Sequence, residues 1–146
     1  MEGLLMRISA KCNYGLNALL ELALQWPNKK PLQIQDIAKK QGIPTRYLVQ
    51  ILIRLKSMKL VKSVRGKEGG YLLSKNPKEI HLGNVLRELE GPLFPVVENT
   101  SAQETNVFFE IWQKADKAIA DVVDPVTFED LCRKAAGARK ILTYSI

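Results

Sequence analysis

The sequence predicts a mainly α-helical fold in which one short β-hairpin follows a run of amphipathic helices and a longer apolar helix stands apart towards the C-terminus. Apolar residues recur at spacings of three and four over most of the chain. Glycine-rich residues 66–70 separate two short β-prone runs. Residues 91–103 hold two prolines and no basic residue, and so read as a linker. With 146 residues, 46% apolar and 25% charged, the composition is that of a globular chain, not a disordered one. A chain of this length buries about 68–70% of the surface its unfolded form exposes, so its core needs neither metal nor disulfide.

The first helix spans Arg7 to Gln25, with Ile8, Cys12, Leu16, Leu19, Leu20, Ala23 and Leu24 on a broad apolar face and Pro27 stopping it. Ile34, Ile37 and Ala38 mark a second helix that Gly42 ends with a left-handed cap. Pro44 opens a third, since a first turn leaves its missing donor unneeded. Two short helices joined through a glycine turn make a helix-turn-helix, although a plain helical pair shares that outline.

At about 100° per residue, Leu48, Ile51, Leu52 and Leu55 fall on the inner side of the third helix. Arg46, Gln50, Ile53 and Arg54 lie opposite, flanked by Thr45, Tyr47 and Val49. Thr45, Arg46, Tyr47, Gln50 and Arg54 are therefore candidate DNA-binding residues. Arg can address guanine O6 and N7 bidentately, and Gln can address adenine N6 and N7 in the major groove. A merely solvated polar face is the alternative.

Leu60, Val61 and Val64, then Tyr71, Leu72 and Leu73, predict a two-stranded hairpin, the wing of a winged helix-turn-helix. Its tip carries Arg65, Gly66 and Lys67, where a guanidinium can enter the narrow, electronegative minor groove. A nucleotide-phosphate cradle would need a Lys-Ser/Thr pair or a helix directly after the glycines, and neither follows. Ile80 to Gly91 predicts a short helix with Leu82, Val85, Leu86 and Leu89 inward.

These elements assign residues 1–90 to a DNA-binding domain, 91–103 to a linker and 104–146 to a helical dimerisation region. A long helix from Glu104 to Val123 carries Phe108, Ile111, Trp112, Ala115 and Ile119 on one stripe. It holds more apolar surface than a small module needs, and a second copy is the economical partner. The alternative is that the helix folds back into one core. A final short helix opens at Thr127, which Asp130 caps, and Phe128 and Leu131 close over the long helix.

The net charge of +7 is regional. Residues 1–90 carry 16 Lys or Arg against 7 Asp or Glu, and residues 91–146 carry 6 against 8. Between Lys39 and Lys78, eleven basic residues face Glu68 alone. That density suits a polyanion, because each cation placed on a phosphate releases condensed counterions. A solvated basic face would show the same composition.

Residues 6–15 (MRISAKCNYG), Ile37-Ala38, residues 42–50 (GIPTRYLVQ) and residues 60–71 (LVKSVRGKEGGY) together resemble the Rrf2 family of bacterial winged-helix transcription regulators. Leu89-Glu90-Gly91 and residues 125–131 (PVTFEDL) are similar to later landmarks of that family, so the resemblance covers nearly the whole chain. The family pattern begins where Met6 stands, which leaves residues 1–5 as an extension or a start-site choice. The resemblance implies a homodimeric, sequence-specific DNA binder, usually a repressor, reading a pseudo-palindromic operator. It implies the helix from Pro44 in the major groove, the wing from Arg65 in the minor groove, and a dimer through the long helix near Trp112. Cluster-binding members carry three close cysteines after the Glu-Gly landmark. Here residues 91–106 contain neither Cys nor His, so no cofactor is predicted and a Cys-ligated iron–sulfur cluster is not expected.

Two cysteines and one histidine exclude a disulfide framework and a clustered zinc site. No paired nucleophile and base point to an enzyme. Cys12, beside Lys11 near a helix start, is a candidate redox thiol, with an inert buried thiol as the alternative. No apolar stretch is long enough to span a membrane and no secretion signal precedes Met6, so a cytoplasmic location is expected. Double-stranded DNA is the expected partner, with an unidentified effector ligand or protein besides. The competing function is a winged-helix interaction module whose basic surface binds an acidic protein or structured RNA.

Overall fold

A computed structural model describes residues 8–27, 30–92 and 107–145 of the chain. The proposed extension at residues 1–5 and most of the proposed linker lie outside the described residues. Within them the fold is a winged helix-turn-helix with six α-helices and one two-stranded antiparallel sheet.

Helix α1 (Ala10–Leu24) starts after Ser9, whose hydroxyl accepts the Cys12 N–H at 3.1 Å. Ser9 is extended, so the helix opens three residues later than Arg7. Ala18, Leu19, Leu22 and Ala23 are buried, and α2 (Ile34–Gln41), α3 (Thr45–Ser57) and α4 (Leu82–Glu90) all lie against α1. Helix α2 ends at Gly42 with φ of +62°, whose N–H donates to the Ala38 carbonyl. The positive φ reverses the chain into α3 where an L side chain would be strained. All four residues assigned to the inner side of α3 are buried: Leu48, Ile51, Leu52 and Leu55.

Strands β1 (Val61–Val64) and β2 (Gly70–Leu73) pair Val61 with Leu73 and Val64 with Gly70. Leu32 adds a third chain to the sheet, exchanging hydrogen bonds with Tyr71 at 3.0 and 2.8 Å. Gly70, at φ of +149°, permits this approach, because a Cβ there would stand 2.3 Å from the Leu32 carbonyl oxygen. The wing is thereby fixed to the chain entering α2.

The C-terminal part departs from expectation in three ways. Ile80 and His81 are extended rather than helical: His81 bridges Thr127, and the Phe128 N–H donates to the Ile80 carbonyl at 2.9 Å. Only long-range pairing dictates this, so local periodicity reads through it. Helix α6 (Phe128–Ser145) is 18 residues long, not short. It packs on α1 rather than over α5 (Val107–Val123), and Phe128, 1% exposed, sits in the same core as Leu19, Leu52 and Ile80. Helix α6 thus shares the core of the N-terminal elements, while α5 has no buried residue. The expected Thr127–Asp130 cap is present, with the Thr127 N–H donating to the carboxylate at 3.0 Å and the Asp130 N–H to the hydroxyl at 3.1 Å.

Candidate nucleic-acid interface

The outward side of α3 follows from its inner side. With one stripe locked in the core, Thr45, Arg46, Gln50, Ile53 and Arg54 are left exposed and Tyr47 is half-buried at the edge. Ile53 is 59% exposed on this side. The Arg46 guanidinium stacks 4.8 Å from the centre of the Tyr47 ring and donates to the Tyr47 hydroxyl at 3.2 Å. That stacking restrains an otherwise free side chain at the N-terminal end of the helix. Arg54 is exposed as well, and its guanidinium donates to the Glu88 backbone carbonyl on α4. It joins α3 to α4, a contact that helix periodicity does not reveal.

Arg65, Gly66 and Lys67 are exposed together at the wing tip, where Gly66 takes φ of +110°. The tip is tied to its neighbours. Gln33, at the start of α2, donates to the Lys67 carbonyl at 3.3 Å, and Lys56 on α3 donates to the Ser63 hydroxyl at 2.8 Å. The wing and α3 are thus joined on one basic face. Gln33 and Lys56 belong to that architecture, and no local motif marks them. No described carboxylate forms an ion pair with Arg46, Arg65 or Lys67.

On α5 no residue is buried. Phe108 is 56%, Ile111 54% and Trp112 39% exposed, and the Phe108 and Trp112 rings stack with centroids 6.2 Å apart. Ala115 and Ile119 are half-buried on the same helix. Helix α5 is tied to the body near its end, where Arg87 on α4 meets Asp124 at 2.7 Å.

Of the two readings of Cys12, the structure favours the inert, buried thiol. It is 2% exposed, and burial first, then the negative charge and hydrogen bonding of Glu90, push its thiol up to about 11. The Ser9 hydroxyl donates to the same Glu90 carboxylate at 2.7 Å. A thiol held protonated beside a carboxylate is the opposite of a reactive thiolate site. Burial likewise raises Cys132.

The family model described as an iron-dependent transcriptional regulator, Rrf2, matches residues 8–134. The chain belongs to the Rrf2 family. It is a DNA-binding transcriptional regulator, similar to CymR of Bacillus subtilis, with 35% identity over 141 residues, 97% of this chain and all of that protein. The solved structure of that CymR, the global cysteine regulator of its organism, matches with a TM-score of 0.72 and 34% identity over 89% of this chain and 98% of the other. The structure of T. potens IscR matches with a TM-score of 0.73 and 34% identity over 90% of each chain.

The Rrf2 description carries iron dependence, and the donors in this chain fit a thiolate-held iron site poorly. The two cysteines stand on different helices with both thiols raised, and the His81 Nδ1 is engaged at 3.0 Å by the Asp124 carbonyl. Among the described residues no three His, Cys, Asp or Glu side chains gather in a metal-binding group. No described helix is long and apolar enough to cross a membrane.

Proposed function

We propose that the chain is a homodimeric repressor acting in the cytoplasm on a pseudo-palindromic operator. Helix α3 enters the major groove with Arg46 and Gln50 on base edges and Thr45 and Tyr47 on the backbone. The wing lays Arg65 in the adjacent minor groove, with Gly66 and Lys67 against the phosphates. The observation that carries this reading is the single rigid face: exposed Arg46, Gln50, Arg65 and Lys67 on elements braced to one another through Gln33 and Lys56. A groove reader needs that rigidity, because misplaced donors lose base discrimination. The apolar stripe of Phe108, Ile111, Trp112, Ala115 and Ile119 pairs two copies, so that two reading heads meet two half-sites. The controlling signal enters through an effector ligand or protein rather than a Cys-ligated cluster.

Gel-shift titration tests this, using a duplex selected from a random pool and a scrambled control. Arg65→Ala should weaken binding severely. Gln50→Ala should cost about 1–3 kcal/mol of discrimination between the two duplexes. Equal losses on both duplexes would refute base reading by Gln50, and a wild type that does not distinguish them would favour a general polyanion-binding module.

A further inference from the structure

From the convergence of cations on Tyr47, we infer that Lys11, on α1, is a DNA-backbone clamp that the helix-turn-helix and wing do not account for. Resting on the proposed DNA-binding role, it names a third element, besides α3 and the wing, that grips the operator. The Lys11 ammonium lies 5.9 Å from the Tyr47 ring centre while the Arg46 guanidinium stacks 4.8 Å from the same ring. Two cations on one aromatic ring repel each other, and no described carboxylate pairs with either. Glu90, an acid of this corner, is committed to Ser9. Such a like-charge cluster is relieved by an anion from outside.

The adjoining hollow of about 250 Å³ shows which anion fits. Exposed Lys11, Gln50 and Arg54 stand around it with Tyr47, above an apolar floor that includes Ile51 and Leu89. Its charges lie at the rim, with a protonated Cys12 thiol below. A free carboxylate or phosphate drawn into the hollow would meet an apolar floor, whereas a strand passing across the rim offers its phosphodiester to the Lys11 ammonium. The Tyr47 hydroxyl, accepting from Arg46, keeps its own proton to donate to a phosphate oxygen. Gln50 lines this hollow and also lies on the outward side of α3, so the clamp sits beside the base-reading residues and grips the backbone without reading sequence.

The test is the salt dependence of binding by the full-length protein. Each phosphate contact contributes about 0.9 to the slope of log K against log salt. Lys11→Ala should therefore lower the slope by about 1.8 for a dimer, and the wild-type advantage should shrink about twelvefold between roughly 50 and 200 mM salt. The loss should be equal on selected and scrambled duplexes, and Lys11→Arg should restore the slope. Because Lys11 is exposed, thermal melting of the variant should match the wild type. An unchanged slope, or a loss confined to the selected duplex, would overturn the clamp while leaving base reading by α3 intact. Millimolar inorganic phosphate that weakens wild-type but not Lys11→Ala binding at constant ionic strength would assign the site to a free anion instead. A wild type that binds no DNA would refute both the clamp and the function it rests on.

Discussion

Arg139→Met is the perturbation whose consequence the packing of α6 specifies most fully. Glu21, on α1, is 1% exposed, and one of its oxygens accepts from Gln41 at 2.6 Å and from Arg139 at 2.6 Å. Its other oxygen has no hydrogen-bond partner among the described residues. The guanidinium thus supplies the counter-charge to a buried carboxylate across 118 residues of sequence. Removing one partner of a buried pair costs about 3–5 kcal/mol, since an uncompensated charge is left behind. Here Arg139 is 55% exposed, so water screens its end of the pair and about 2 kcal/mol is the reasoned loss. For a chain of this size that lowers Tm by roughly 4–8 °C.

The pair is asymmetric, and the asymmetry is the sharper expectation. Glu21→Leu leaves an arginine that can turn to water, so it should cost less than Arg139→Met, and adding Glu21→Leu to Arg139→Met should recover stability. Urea unfolding at fixed protein concentration, followed by circular dichroism, measures all three variants. If Arg139→Met lies within about 0.5 kcal/mol of wild type, the margin of an ordinary surface substitution, or if Glu21→Leu fails to rescue it, α6 does not hold the reading head through this pair.

Cys12 should resist iodoacetamide in the folded protein at pH 8 and react at once in urea, because its raised thiol stays protonated until the pH approaches about 11; rapid labelling of folded protein would contradict the burial argument. Gly70→Ala should cost about 1–3 kcal/mol in chemical unfolding, since it combines φ of +149° with a Cβ 2.3 Å from the Leu32 carbonyl oxygen; an unchanged midpoint would mean that the wing is not held there. The Asp130 carboxyl is lowered, chiefly by the Thr127 N–H and then by Arg133, so its contribution to stability is present above the usual carboxylate range and disappears as pH falls through its folded value. Asp130→Asn should therefore flatten the acid limb of a stability-against-pH curve, and parallel limbs would refute the cap. Trp112→Glu should halve the molar mass in sedimentation equilibrium without loss of helix, while a wild type that is already monomeric would end the pairing role of α5.

The recognition helix was legible in the sequence because its information is local. A buried stripe of Leu48, Ile51, Leu52 and Leu55 leaves Arg46 and Gln50 only one direction to face. The same holds for the Gly42 turn, the glycine wing and the Thr127–Asp130 cap, each of which depends on neighbours within a few residues. Composition likewise placed the basic excess in the region that carries the reading face.

Whatever depends on residues far apart in the chain was decided by the tertiary structure. The extended Ile80-His81 segment exists because residues 126–128 pair with it, and α6 joins the core because Phe128 and Arg139 meet partners on elements from the N-terminal half. Arg54 faces outward by periodicity but is claimed by a carbonyl on α4. Lys11 flanks Cys12 in sequence and suggested an activated thiol, yet burial and Glu90 reverse the thiol's shift while the ammonium turns to Tyr47. The physical reason is common to all four. Helix and turn preferences act over a few residues, whereas desolvation and charge pairing depend on which surfaces the folded chain brings together.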